Sequence, residues 1–210
     1  MTLREQLTPV SFHLRNFNKY VKLDLNAAKN GNLTLIGENA AGKTTLANCF
    51  FPMLVDGSIA TPSFNAAKGT DHLDKSVNPH SSKRDSRNFE SMLLGWGPGA
   101  MKVRTGYSYI DFRSAKRQVI LGLGAHRVVG EQRKPTWWFV VINPQPTAPI
   151  QLVTTDQDGK SLEEDDFAAA NKGLGDQLHI FKQAVHYREY VATQVYGFTG
   201  GADLAKLASV

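Results

Sequence analysis

Cysteine is nearly missing from this sequence: Cys49 is the only one. A lone thiol closes no internal disulfide, which excludes a stapled secreted scaffold and suits a reducing cytoplasm. No apolar run approaches the roughly 20 residues that a membrane-spanning helix needs. Met1 to Phe12 places Arg4 and Glu5 before any long apolar stretch, so neither a signal peptide nor a membrane anchor is expected. The six histidines, His13, His72, His80, His126, His179 and His186, lack zinc-like spacing with each other or with Cys49. Acidic residues are in the minority, 19 against 24 Lys plus Arg, giving a formal charge of +5. That balance suits a polyanionic partner but is ordinary among soluble proteins. With 41% hydrophobic residues over 210 positions, the chain can bury a full core and is not a disordered tail.

Patterning divides the chain. Phe12 and Leu14, a turn at Asn16 to Lys19, and then Val21, Leu23 and Leu25 alternating with Lys22, Asp24 and Asn26 predict a hairpin with one wet face. After the Asn30-Gly31 turn, the apolar run Leu33 to Ile36 predicts a buried strand. Leu46, Cys49, Phe50, Met53 and Leu54 then fall on one helical stripe whose end is blurred by Pro52. Residues 56–87 turn to Ser, Asn, Asp, Lys, His and Pro and predict a long polar surface insertion. A short helix is expected over Asn88 to Trp96. Strands follow at Gly106 to Arg113, Gln118 to Val128 and Thr136 to Asn143, making an antiparallel sheet, with a further strand expected at Ile150 to Thr155. From Leu162 onward the pattern predicts helix, with Phe181, Val185, Tyr190 and Val191 on its apolar face.

The segment between the expected strand and helix carries the chemistry. Gly37-Glu38-Asn39-Ala40-Ala41-Gly42-Lys43-Thr44 satisfies G-x-x-x-x-G-K-[ST] at every fixed position. A triphosphate needs several donors converging on its oxygens, and a slim loop supplies them from backbone N–H groups. Gly37 and Gly42 permit the necessary backbone angles, and Ala40 and Ala41 keep the loop narrow. Lys43 is expected to reach the β and γ phosphates of ATP and the Thr44 hydroxyl to ligate Mg²⁺, with Thr45 following in the helix. Cys49 reads as a small buried helix residue.

The hairpin around Leu14-Arg15-Asn16-Phe17, the run Leu33 to Ile36, and Gly37 through Leu46 together resemble the start of an SMC-type ATPase head. The Gly-Glu-Asn stretch is similar to that group's Gly-x-Asn-Gly-x-Gly-Lys pattern, with Ala40 in place of the usual glycine. Ser63 to Ala67, Gly106 to Phe112, Arg117 to Leu123, Tyr187-Arg188-Glu189-Tyr190 and Tyr196-Gly197-Phe198 look like the MukB-type bacterial condensins, of the MksB and Wadjet JetC branch. The resemblance implies an α/β P-loop NTPase lobe of ABC/SMC type, with a mixed sheet and an antiparallel β subdomain over 1–160. A helical segment over 161–210 would lead toward a coiled coil. It implies an ATPase with a composite site: this N-terminal half, its own C-terminal head half and a second head in a homodimer. Kleisin-type subunits and DNA are the implied partners, in nucleoid-associated chromosome organisation or plasmid defence.

A Walker B strand ending in Asp-Glu and a signature motif of Ser-Gly-Gly type are both missing, so the chain alone is expected to bind ATP and hydrolyse it poorly. Glu163-Glu164-Asp165-Asp166 follows polar Ser161 and reads as an acidic helix start. Asp111 is the candidate for a further magnesium or water contact, against an ordinary strand-end carboxylate. Lys83, Arg84 and Arg87 in the polar insertion are the candidate DNA phosphate contacts, with Lys102, Arg104, Arg113, Lys116 and Arg117 behind them, against a solvated basic face. Trp137 and Trp138 read as core packing in an apolar strand. Two other readings stay open: a RecF-, Rad50- or OLD-type DNA-repair or anti-phage ATPase, and a small-molecule kinase that turns over by itself.

Overall fold

The computed structural model describes residues 6–38, 42–54, 57, 59, 89–95 and 100–203. Six strands form one sheet in the order β2-β1-β3-β4-β5-β6, and every neighbouring pair is antiparallel. The strands are β1 (Thr8–Phe17), β2 (Tyr20–Asn26), β3 (Val103–Arg113), β4 (Gln118–Val128), β5 (Thr136–Asn143) and β6 (Leu178–Phe181). The helices are α1 (Lys43–Asn48), α2 (Phe51–Leu54), α3 (Phe89–Leu94), α4 (Glu164–Ala170) and α5 (Ala184–Tyr190), the last running into a π-helical turn, Val191–Val195. The architecture is mixed α/β. The mixed sheet expected from the sequence is corrected to a wholly antiparallel one among the described residues.

Strand alternation sends side chains to two cores. On one face Leu14, Ile110, Leu121, Leu123, Trp138 and Val140 pack with Cys49, Phe50 and Met53 of the α1–α2 segment, Met92 and Leu93 of α3, and Tyr187 of α5. On the other, Tyr107, Ile120, Trp137, Phe139 and Val141 pack with Phe167 of α4, and Ile150, Leu152 and Leu162 cover them. Both faces of β3, β4 and β5 are thus apolar, and the continuous hydrophobic runs of these strands follow from burial on two sides. The tryptophans lie in the cores, Trp137 at 0% and Trp138 at 5% exposure. Gly124 leaves room for one of them: a Cβ there would stand 2.3 Å from Trp137 Cε2.

Three further expectations are revised. Leu33 to Ile36 forms no strand, and Ile36 is 92% exposed, because no described strand offers it a ladder of hydrogen bonds. Ile150 to Thr155 forms no strand and reaches only an isolated bridge, Thr155 to Ser161. Phe181 belongs to β6 and not to a helix, and Val185 is exposed: the Leu178–Phe181 backbone bonds to β5 and extends the sheet. α4, β6 and α5 pack on the same sheet as β1 to β5. The acidic cluster does start a helix, with Glu163 at the cap and Glu164, Asp165 and Asp166 in the first turn of α4.

Candidate functional site

Gly42 caps α1 in the left-handed region, φ 87 and ψ 15, which a residue with a Cβ adopts only under strain. The chain then enters α1, where the Leu46 N–H donates to the Gly42 carbonyl at 2.9 Å. Lys43 folds back over the loop. Its Nζ donates to the carbonyl oxygens of Gly37, at 2.6 Å, and Glu38, at 2.8 Å. One ammonium group therefore joins the two described ends of the loop. Gly37, Glu38 and Thr44 are exposed, and Lys43 and Thr45 are half-buried. Asn39, Ala40 and Ala41 lie outside the described residues.

The base of this segment is fixed to the sheet. The stripe expected from the sequence is present, though a turn at Cys49 and Phe50 breaks it into α1 and α2. Pro52 sits in the first turn of α2, where its missing N–H costs no helical bond. Ser108 of β3 donates to the Cys49 carbonyl at 2.7 Å, and the buried Tyr187 hydroxyl donates to the Met53 carbonyl at 2.5 Å. Cys49 itself is buried, and burial pushes its thiol pKa up to about 12. It is a packing residue with no thiolate chemistry near neutral pH.

Asp111 is not brought to the loop. Along β3, Ser108 and Ile110 face α1 and α2, so Tyr109 and Asp111 face the opposite side of the sheet from Lys43 and Thr44. A carboxylate behind the sheet cannot share a magnesium ion with the Thr44 hydroxyl. Asp111 Oδ2 instead accepts from Arg113, at 2.8 Å, and from Gln118 Nε2, at 3.1 Å.

The basic candidates separate in the same way. Lys83, Arg84 and Arg87 lie outside the described residues. Arg104 is buried, donating to the Asn18 and Leu93 carbonyls. Arg117 donates to the Gln194 and Val195 carbonyls at 3.1 Å each, holding the π-helical turn. Lys102 and Lys116 are exposed. Among the described residues no group of three or more His, Cys, Asp or Glu side chains could hold a metal, and no helix is long and apolar enough to cross a membrane.

A polar array stands on β1 and β2 that the sequence does not single out. Ser11, His13 and Arg15 alternate with Phe12 and Leu14, so the three polar side chains share the face away from α1. His13 stands opposite Asp24 in the register of the two strands. The period-two pattern was its signal, but a wet hairpin face ordinarily means solvent and not a site.

No protein-family model matches the sequence, and no curated protein matches it.

Proposed function

We propose that the chain is the ATP-binding N-terminal half of an SMC-like ATPase head of the MukB-type condensin class. The observation that carries the reading is the Lys43 ammonium, held by the Gly37 and Glu38 carbonyls at the mouth of a loop with P-loop spacing. Bound ATP would exchange those carbonyls for its β and γ oxygens, which accept charge-assisted bonds more strongly. The Thr44 hydroxyl would ligate the accompanying Mg²⁺, and the loop's backbone N–H groups would hold the remaining oxygens.

The run Leu33 to Ile36, which pairs with no strand among the described residues and leaves Ile36 exposed, supports the half-head reading, because a P-loop strand ordinarily lies inside a sheet. Its own C-terminal half would supply that pairing, together with the water-positioning acid that this sequence lacks. A second head, kleisin-type subunits and DNA complete the proposed assembly, which entraps and extrudes DNA near the nucleoid. The reading predicts that the chain binds Mg²⁺–ATP saturably while phosphate release stays near the uncatalysed rate. Sustained multiple turnover by the chain alone would favour the self-sufficient kinase or a complete ATPase.

A further inference from the structure

A pocket of about 450 Å³ opens on the face of the sheet turned away from Lys43, between the polar side chains of β1, β2 and β3 and the chain from Pro149 to Thr155. Its chemistry is unused by the nucleotide reading. Arg15 is already committed, to Asp24 at 2.7 Å and to the Leu14 and Leu23 carbonyls. Asp24 also meets His13 Nδ1 at 2.5 Å, and His13 Nε2 meets the Ser11 hydroxyl at 2.7 Å. Asp111 is different. It is only 7% exposed, it lines the pocket, and its Oδ1 is buried with no hydrogen-bond partner. The Nε of neighbouring Arg113 is likewise buried without an acceptor.

An unpaired buried carboxylate oxygen costs free energy until a donor reaches it. The lining as a whole is cationic on balance, with Arg15, Lys22 and Arg113 against Asp24 and Asp111. A bare cation is disfavoured by that balance, and a bare anion would meet the free Asp111 oxygen. A molecule carrying both signs answers both. We propose that this pocket binds a small zwitterion, a free amino acid or short peptide, whose ammonium group meets the Asp111 carboxylate as that carboxyl turns Oδ1 toward the pocket, and whose own carboxylate meets Arg113 and Lys22. Ser11, His13 and Asp24 repeat the connectivity of a hydrolytic triad, but Arg15 shares the Asp24 oxygen, and Ser11 stands opposite Asp111 in the strand register. A free carboxylate there would repel a forming oxyanion, so the site is one of binding and not of hydrolysis.

Calorimetric titration of the full chain with glycine, glutamate, glycylglycine and N-acetylglycine tests this. Saturable binding of the first three, or of the amino acids or the dipeptide alone, is expected, with N-acetylglycine silent because it lacks the ammonium group. The stronger of the two arms identifies the source. Asp111→Asn keeps an acceptor for Gln118 and Arg113 and places a donor where Oδ1 stood, so it should weaken binding at least about tenfold. Circular dichroism checks that this variant folds. If it does not, Arg113→Gln and the N-acetyl comparison decide. No saturable binding of any zwitterion, equal binding of N-acetylglycine, or unchanged affinity in a folded Asp111→Asn would overturn the proposal. The pocket lies across the sheet from the P-loop, so neither result depends on ATP binding.

Discussion

The Ser108 hydroxyl donates to the Cys49 carbonyl across 2.7 Å, and that bond ties the middle of β3 to the end of the segment that begins at Lys43. Ser108 is fully buried in an otherwise apolar layer, so the pairing satisfies a carbonyl that the turn after α1 leaves outside the helical ladder. The short α1 thereby gains a fixed base from the sheet, where six residues of helix would not hold by themselves.

Tyr187 is the second anchor, and its removal has a measurable cost. Tyr187→Phe leaves the Met53 carbonyl without the hydroxyl that it accepts from, in a site that is 1% exposed. An unsatisfied buried acceptor costs about 1–3 kcal/mol. The urea midpoint should fall by the corresponding amount with an unchanged denaturant slope. A midpoint equal to that of the wild type would mean that α5 does not support α2 as described.

Cys49 should be inert in the folded protein. Burial pushes its thiol up to about 12, and its Sγ donates to the Thr45 carbonyl at 3.2 Å. Treatment with iodoacetamide at pH 8, followed by intact-mass analysis, should leave the native chain unmodified and give one adduct after denaturation. Rapid native labelling would contradict the packing of the α1–α2 segment.

Acid should weaken the hairpin through Asp24. Burial alone would raise its carboxyl pKa, but hydrogen bonds from His13 and Arg15, and their charges, outweigh burial and hold it below the ordinary 3.8. A depressed native pKa means that the unfolded state binds the proton more readily. The stabilisation is therefore present above pH 3.8 and is lost as pH falls through the lower native value. Thermal melts of wild type and Asp24→Asn should differ most near neutrality and converge as the solution is acidified below that point. A gap that widens on acidification would reverse the assignment.

Much of this architecture is legible in the sequence, and the failures have physical causes. Gln118 to Val128 and Thr136 to Asn143 are bounded by charged turns and filled with β-branched and aromatic residues, and they appear as β4 and β5 with those limits. The spacing of Gly37, Gly42, Lys43 and Thr44 is a local chemical requirement and needs no tertiary information. The side of the sheet on which Asp111 stands is not legible, because β3 is apolar on both faces: Tyr109 and Ile110 give no sign of which side receives α1. Leu178–Phe181 is four residues long and lies between two helices, so its helical surroundings masked a strand that only pairing with β5 defines. Leu33 to Ile36 has the composition of a buried strand without a partner here, and a strand exists only through its ladder.

The central claim rests on Lys43. Equilibrium titration of the wild-type chain and of Lys43→Ala with Mg²⁺–ATP tests it most directly. The account predicts saturable binding by the wild type and its loss in the variant, whose folding should be unchanged because, among the described residues, the Lys43 ammonium bonds to the exposed Gly37 and Glu38 carbonyls and not to the core. Retained ATP affinity in Lys43→Ala, or no binding by the wild type, would show that Gly37 to Thr44 does not hold the triphosphate.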